Sequence, residues 1–144
     1  AMMDQKLAAK LNLSNIDILD YRIAANLLES AGDYIVDLAN TLELSHIKAA
    51  DEIVDAGMLV ERMHEKSVAA FVNKNRSESN AIIKMYDNFM EIINSIKSGV
   101  DSKSLESTVA VLSLIHSMDK IARCWVDVAD LVKPLHLTAP LKNA

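Results

Sequence analysis

Apolar residues recur at three- and four-residue steps over long stretches of this chain, which is the period of an α-helix. The chain has 144 residues, of which only three are Gly and two are Pro, so few residues interrupt these stretches. Val and Ile do not alternate with polar residues as they do in a half-buried strand. The pattern therefore predicts an all-α fold and excludes an all-β one.

The first predicted helix begins at Ser14, because Ser14 with Asp17 three positions later is a candidate N-terminal cap. It runs for about thirty residues, or about 45 Å. One apolar stripe is predicted along it, at Ile16, Leu19, Ile23, Leu27, Ala31, Tyr34, Leu38 and Leu42.

The second predicted helix begins near Ser45, the next candidate cap, and ends in the polar cluster 73–80. Its predicted apolar stripe consists of Ile47, Val54, Met58, Val68 and Val72, and Ile53, Gly57, Val60 and Phe71 lie beside it.

The third predicted helix carries Ile82, Tyr86, Phe89, Ile93 and Ile96 and ends at Gly99. The fourth is the most apolar and is stopped by Pro134. Its predicted buried face is Val111, Leu114, Ile115, Met118, Ile121, Ala122, Trp125, Val128, Ala129 and Val132.

Short connections between long helices make neighbours antiparallel, so the chain is predicted to form one antiparallel bundle of four long helices. The expected organisation is an N-terminal arm over 1–13, the helical bundle over 14–133 and an irregular tail over 134–144.

Charge and cysteine content narrow the function classes. Fifteen basic against twenty acidic residues give a net charge of -5, which argues against binding a nucleic-acid backbone. No apolar stretch approaches a membrane span. The lone Cys124 forms no internal disulfide and lacks an evident base beside it. A soluble, cytoplasmic protein without direct nucleic-acid binding or membrane insertion is expected.

Two segments, 28–39 and 118–129, echo each other in their acidic and apolar positions. In the first, Glu29, Asp33 and Asp37 are spaced by four residues and share one helix face. Three carboxylates this close repel one another. Either the face is simply solvated, or a hard, oxygen-seeking cation relieves the repulsion. In the second, Asp119 and Asp127 flank Arg123, which favours a surface ion-pair ladder.

Glu61 and His64 form a Glu-x-x-His pair in the second helix. Ferritin-like di-iron proteins use two such pairs, each on a bundle helix, as inward metal ligands. The other match in this chain, Glu43 with His46, straddles a predicted helix break. In the competing interpretation, Glu61 lies at the edge of the core and His64 is partly buried and hydrogen-bonded to a neighbour. A di-iron site at this pair is the alternative prediction for the function of the chain.

The segment 21–33, with Asp37-Leu38-Ala39 after it, resembles the conserved motif of PhoU-type phosphate-uptake regulators. That motif reads Leu-Glu-x-x-Gly/Ala-Asp, followed by Asn/Asp, an aliphatic residue and Ala, on the third helix of each three-helix repeat. Segments 56–61 and 121–130 resemble the first-helix pattern and a second copy of the motif, and the likeness covers roughly residues 7–133.

The resemblance implies the last helix of a first repeat followed by a complete second repeat, as in a fragment of a longer protein. A small AbrB-like domain, which some relatives carry ahead of the repeats, is one candidate for the missing part. Ala1 before Met2-Met3 looks like a cloning remnant.

Family members resemble non-catalytic adaptors that restrain phosphate transporters and signal through sensor kinases, and some bind iron or other metal clusters at these acidic motifs. Carried over by position, the resemblance gives Glu29, Asp33 and Asp37 as candidate metal ligands, and Asp119 and Asp127 in the second copy. Arg123 stands where the second Asp of that copy belongs. A regulatory module is expected, with iron or another divalent metal as its candidate cofactor and a phosphate transporter or signalling protein as its partner. Self-association is also expected, because a first-repeat helix without its own two neighbours leaves apolar surface uncovered.

Overall fold

Four long α-helices make up nearly all of the chain that the computed structural model describes, which is residues 6–7, 9, 14–45, 51–100 and 105–132. Helix α1 spans Asn15–Ser45, α2 Asp51–Asn73, α3 Arg76–Gly99 and α4 Leu105–Asp130. The predicted all-α fold of four long helices is confirmed.

The predicted arm, 1–13, and tail, 134–144, lie almost wholly outside the described residues, as does Pro134. Within the described ranges, none of the helices has the length and apolar character needed to cross a membrane.

Helices α2, α3 and α4 pack against one another as a three-helix bundle, and α1 packs mainly against α4. The α1–α4 pair is antiparallel. The Lys120 ammonium lies 5.1 Å from the centre of the Tyr34 ring, and Tyr21 of α1 lines the same cleft as Leu131 beyond the end of α4. Helix α4 is therefore covered by three neighbours, whereas α1 is covered mainly by one.

The predicted core positions of α3 and α4 are confirmed. Phe89, Ile82 and Leu114 are completely buried, and Trp125 is 3% exposed. Tyr86 and Val111 are partly buried and pack against this cluster. Between α3 and α4, the Ser79 hydroxyl donates a buried hydrogen bond of 2.6 Å to the Ala129 carbonyl. Burial of these aliphatic and aromatic side chains supplies most of the stabilisation of the bundle.

The predicted apolar stripe of α2 is wrong, because its residues Val54, Met58 and Val72 are 47%, 50% and 59% exposed. The buried face lies about half a turn away and is built largely of small residues, which let the neighbouring helices approach closely. It consists of Ala56, Val60, Met63, Ser67 and Ala70.

The predicted stripe of α1 is correct only over its middle part, where Leu27, Tyr34 and Leu38 pack on the core. Towards the two ends, Ile16, Leu19 and Leu42 are 59%, 56% and 36% exposed. In the first half, the buried position is taken by a small residue rather than by the larger Ile23. That residue is Ala24, which is 5% exposed.

The helix ends follow local hydrogen bonding. The Ser14 backbone N–H donates to the Asp17 carboxylate at 2.9 Å and the Asp17 N–H donates to the Ser14 hydroxyl at 3.1 Å, which confirms the predicted cap. Ser45, predicted to cap α2, is instead the last residue of α1.

The break predicted over 73–80 is only two residues long. Lys74 takes a left-handed conformation (φ 53°), and the Lys74 and Asn75 N–H groups donate to the carbonyls of Phe71 and Ala70. This is a Schellman motif, and Asn75 caps α3 by accepting a hydrogen bond from the Glu78 N–H. The tight turn sets α2 and α3 side by side.

Candidate functional site

The acidic residues predicted on α1 form one exposed face of that helix, here called the acidic face: Glu29, Asp33 and Asp37. None of the three carboxylates takes part in a hydrogen bond or ion pair with a side chain in the described part of the chain. Four-residue spacing places successive carboxylates about 6 Å apart along the helix axis. The face therefore presents a row of negative charge to solvent.

Within the described ranges, this face does not form a complete metal site. Among the described residues, no three His, Cys, Asp or Glu side chains are grouped so that they hold a metal ion. Hard cations such as Ca²⁺ take about six to eight oxygen ligands, so one row of exposed carboxylates supplies only part of a coordination sphere.

Asp119, the first acidic residue of the second motif, is bonded to its neighbours instead of facing solvent. Its carboxylate accepts a 2.7 Å hydrogen bond from the Tyr86 hydroxyl and pairs with the Arg123 guanidinium at 3.1 Å. Burial and the hydrogen bond to Asp119 raise the pKa of Tyr86, whereas the hydrogen bonds to Tyr86 and Asp119 raise the pKa of Arg123. The positive charge of Arg123 thus neutralises the Asp119 carboxylate within the chain.

Asp127 lies two turns further along α4 and is exposed. Partial burial and the nearby Asp130 raise the pKa of its carboxyl, and Arg123 opposes that shift. The structure does not bring Asp119 and Asp127 together with a third ligand in the described part of the chain. The two acidic motifs therefore differ: within the described residues the three carboxylates on α1 are unpaired, whereas on α4 Asp119 is paired with Arg123.

Glu61 and His64 are both exposed on α2, and the residue between them that points into the bundle is Met63. The His64 ring stacks on Trp125 of α4, with 4.5 Å between the ring centroids. Within the described residues, this pair is not part of an inward ligand set of the kind that di-iron proteins use.

Cys124 is buried, as expected for an inert thiol. Burial, and secondarily the charge of Asp127, raise its pKa, so little thiolate is present at neutral pH.

Sequence reasoning missed a cleft of about 520 Å³ at one end of the bundle. Lys74 and Asp17 pair across it at 3.7 Å, and hydrogen bonds from Ser14 followed by the charge of Lys74 lower the pKa of Asp17. No local motif marks the cleft, because its lining comes from three separate parts of the chain: 16–21, 71–76 and 131–132.

The Tyr86 partner of Asp119 was also missed, since residues 33 positions apart meet only when α3 packs on α4. Comparison with protein families, with curated proteins and with solved structures finds no match to this chain.

Proposed function

We propose that this chain is a non-catalytic regulatory module of the PhoU type, which binds a phosphate transporter or its signalling kinase through the acidic face of α1. One observation carries the proposal: Glu29, Asp33 and Asp37 are all exposed, and none is paired within the described chain. The proposal also draws on the resemblance of segment 21–39 to the PhoU motif.

The position of α1 relative to the other three helices supports this function. The bundle of α2, α3 and α4 supplies most of the core, whereas α1 lies on its outside against α4. A helix in that position presents its free faces to a partner while the three-helix bundle holds it in place. Clustered charge on such a face speeds association with a basic partner and sets its orientation.

Iron or another divalent metal on the acidic face is the candidate cofactor of this module. Since three carboxylates of one helix supply only part of a coordination sphere, the partner or a second copy would provide the remaining ligands. We therefore expect metal binding to accompany complex formation instead of preceding it.

Self-association in the cytoplasm is also part of the proposal. Many large apolar side chains of α1 are exposed, among them Leu28, Ile35 and Val36 at 43%, 48% and 57%. Contiguous apolar surface of this kind marks an interaction site.

The experiment is a binding titration between this chain and the cytoplasmic subunits of the phosphate transporter and the phosphate-sensing kinase of the same organism. The test variant is Glu29→Gln/Asp33→Asn/Asp37→Asn, which removes the acidic face. The control variant removes the same charge from other exposed acids on α3 and α4, as Asp87→Asn/Glu91→Gln/Glu106→Gln.

We expect the test variant to lose at least about tenfold in affinity and most of its salt dependence, while the control variant stays within about threefold of the parent. Equal losses of affinity in both variants would mean that binding depends on net charge and not on the acidic face. An unchanged affinity in the test variant, or no binding of either partner by the parent, would contradict the proposal.

A further inference from the structure

Helix α1 carries a second apolar seam beside the face that packs on α4. Its residues follow alternating three- and four-residue steps, none of them is charged, and all but Ile18 are exposed. We call it the outer seam: Ile18, Tyr21, Ala25, Leu28, Gly32, Ile35, Ala39 and Leu42.

The spacing of the outer seam is that of a coiled-coil contact, in which two positions of each heptad meet a second helix. The seam is continuous over about 36 Å of helix. Small and large residues alternate along its central part, where Ala25, Gly32 and Ala39 are separated by Leu28 and Ile35. Small residues at every second contact allow two helices to approach closely, provided that each faces a large residue of the other helix.

Gly32 makes no close contact through its open side with the part of the chain that the structure describes. A Cβ atom added there would meet nothing within 4 Å, and its φ is not positive. Glycine in the interior of a helix is destabilising relative to alanine, so the packing of the monomer does not explain why a glycine lies at the centre of α1. A close neighbour on the open side of Gly32 supplies the reason.

We propose that this neighbour is α1 of a second copy of the chain, lying antiparallel in the outer seam. A two-fold axis between residues 33 and 34 places Ala25 opposite Leu42, Gly32 opposite Ile35 and Ala39 opposite Leu28 of the second copy. The axis repeats each contact, as an isologous interface requires. Every small residue of the central seam thus meets a large one.

The charged residues that flank the outer seam favour this register over the one shifted by one heptad. Arg22 and Glu43 are exposed along one edge of the outer seam, and the proposed axis brings Arg22 of each copy near Glu43 of the other along that edge, two positions from the directly opposite residue. A register with the axis moved to residue 30 also pairs small with large residues, but it brings the Glu29 carboxylates of the two copies close together along the edge of the seam. Opposite charges flanking a seam determine partner and orientation in coiled coils.

The inference rests on the self-association proposed above, but it does not depend on a transporter or kinase. The acidic residues Asp33 and Asp37 lie outside the outer seam, so partner binding and dimer formation are separable by mutation.

The test is sedimentation equilibrium of the whole chain and of three kinds of variant. Gly32→Leu fills the space required by Ile35 of the second copy, at a position where an added Cβ atom meets nothing within 4 Å. The matched control is Gly99→Leu, which changes an exposed glycine that also faces open space at the end of α3.

Charge reversal tests the register. Arg22→Glu and Glu43→Arg, made singly, each set like charges against each other at two symmetric sites, and the double variant Arg22→Glu/Glu43→Arg restores opposite charges. Thermal melts at dilute, monomeric concentration establish that each variant keeps its fold.

We expect a dimer of the parent chain, weakened at least about tenfold by Gly32→Leu and by each single reversal. The double reversal should return to within about threefold of the parent, as should Gly99→Leu. A dimer that withstands Gly32→Leu and both reversals would overturn the outer-seam interface alone. A chain that stays monomeric at all concentrations would overturn the interface and self-association together, and would leave the partner proposal to its own titration.

Discussion

The Tyr86 hydroxyl donates a 2.7 Å hydrogen bond to Asp119 Oδ1, joining α3 to α4 across the bundle surface. The guanidinium of Arg123 completes the cluster, because its Nε donates to the Tyr86 oxygen at 3.2 Å and its Nη2 pairs with Asp119 Oδ2 at 3.1 Å. The Asp119 side chain is only 18% exposed. The Asp119 carboxylate therefore links α3 to α4.

Tyr86→Phe removes the hydroxyl that both Asp119 and Arg123 contact. We expect it to lower the free energy of unfolding by about 1 kcal/mol, the usual net value of one such hydrogen bond. Urea unfolding followed by the fluorescence of the single Trp, Trp125, measures the change. Tyr34→Phe is the control, since its ring lies under Lys120 without a described hydrogen bond from its hydroxyl. Equal losses in the two variants would contradict a special role for Tyr86.

The raised pKa of Tyr86 predicts a loss of stability at alkaline pH. Above pH 10.0, the ordinary value, the unfolded tyrosine ionises before the folded one, so unfolding becomes easier as pH rises. Below that pH both states are protonated and the contribution is complete. Unfolding midpoints measured across this range should fall less steeply in Tyr86→Phe than in Tyr34→Phe. Parallel curves would contradict the assignment.

Two methionines of α2 give a matched test of how that helix is oriented. Met63 is completely buried and Met58 is 50% exposed. We expect Met63→Ala to cost about 2–5 kcal/mol of unfolding free energy, because it leaves a cavity. Met58→Ala should change it by no more than about 0.5 kcal/mol. The reverse order would restore the orientation predicted from sequence.

Burial and a raised pKa make Cys124 unreactive. We expect a thiol reagent at mildly alkaline pH to label it only as fast as the chain opens, and to label it at once in denaturant. Leu105→Cys in a Cys124→Ala background is the exposed control, because Leu105 is 80% exposed. Native labelling of Cys124 as fast as that of this control would contradict its buried position.

The sequence predicts α3 and α4 well because their large apolar residues occupy one face each, as Phe89 and Trp125 do. It fails for α2 and for the first half of α1, where small residues such as Ala56 and Ala24 form the buried contacts. A prediction that favours large apolar side chains places Val54 and Ile23 in the core, although the structure leaves both exposed. Helices approach closely over small side chains, and hydrophobic periodicity alone does not register that preference.

The candidate site shows the same limit. Spacing within one helix correctly places Glu29, Asp33 and Asp37 on a shared exposed face, because helix geometry fixes that relationship. It also predicts that Arg123 pairs with Asp119 or Asp127, and the structure shows the pair with Asp119. The contribution of Tyr86 depends on how α3 packs on α4, and no local pattern contains that information.

Site-specific photocrosslinking shows whether the acidic face of α1 binds a transporter or a kinase. A benzophenone amino acid replaces Asp33 in one variant and Asp87, an exposed acid on α3, in the other, within cells starved of and then supplied with phosphate. We expect position 33 to form an adduct with a phosphate-transporter subunit or a phosphate-sensing kinase, identified by mass spectrometry, and position 87 to form none. Adducts of these proteins at position 87 alone, or none at position 33 under either condition, would contradict the proposal.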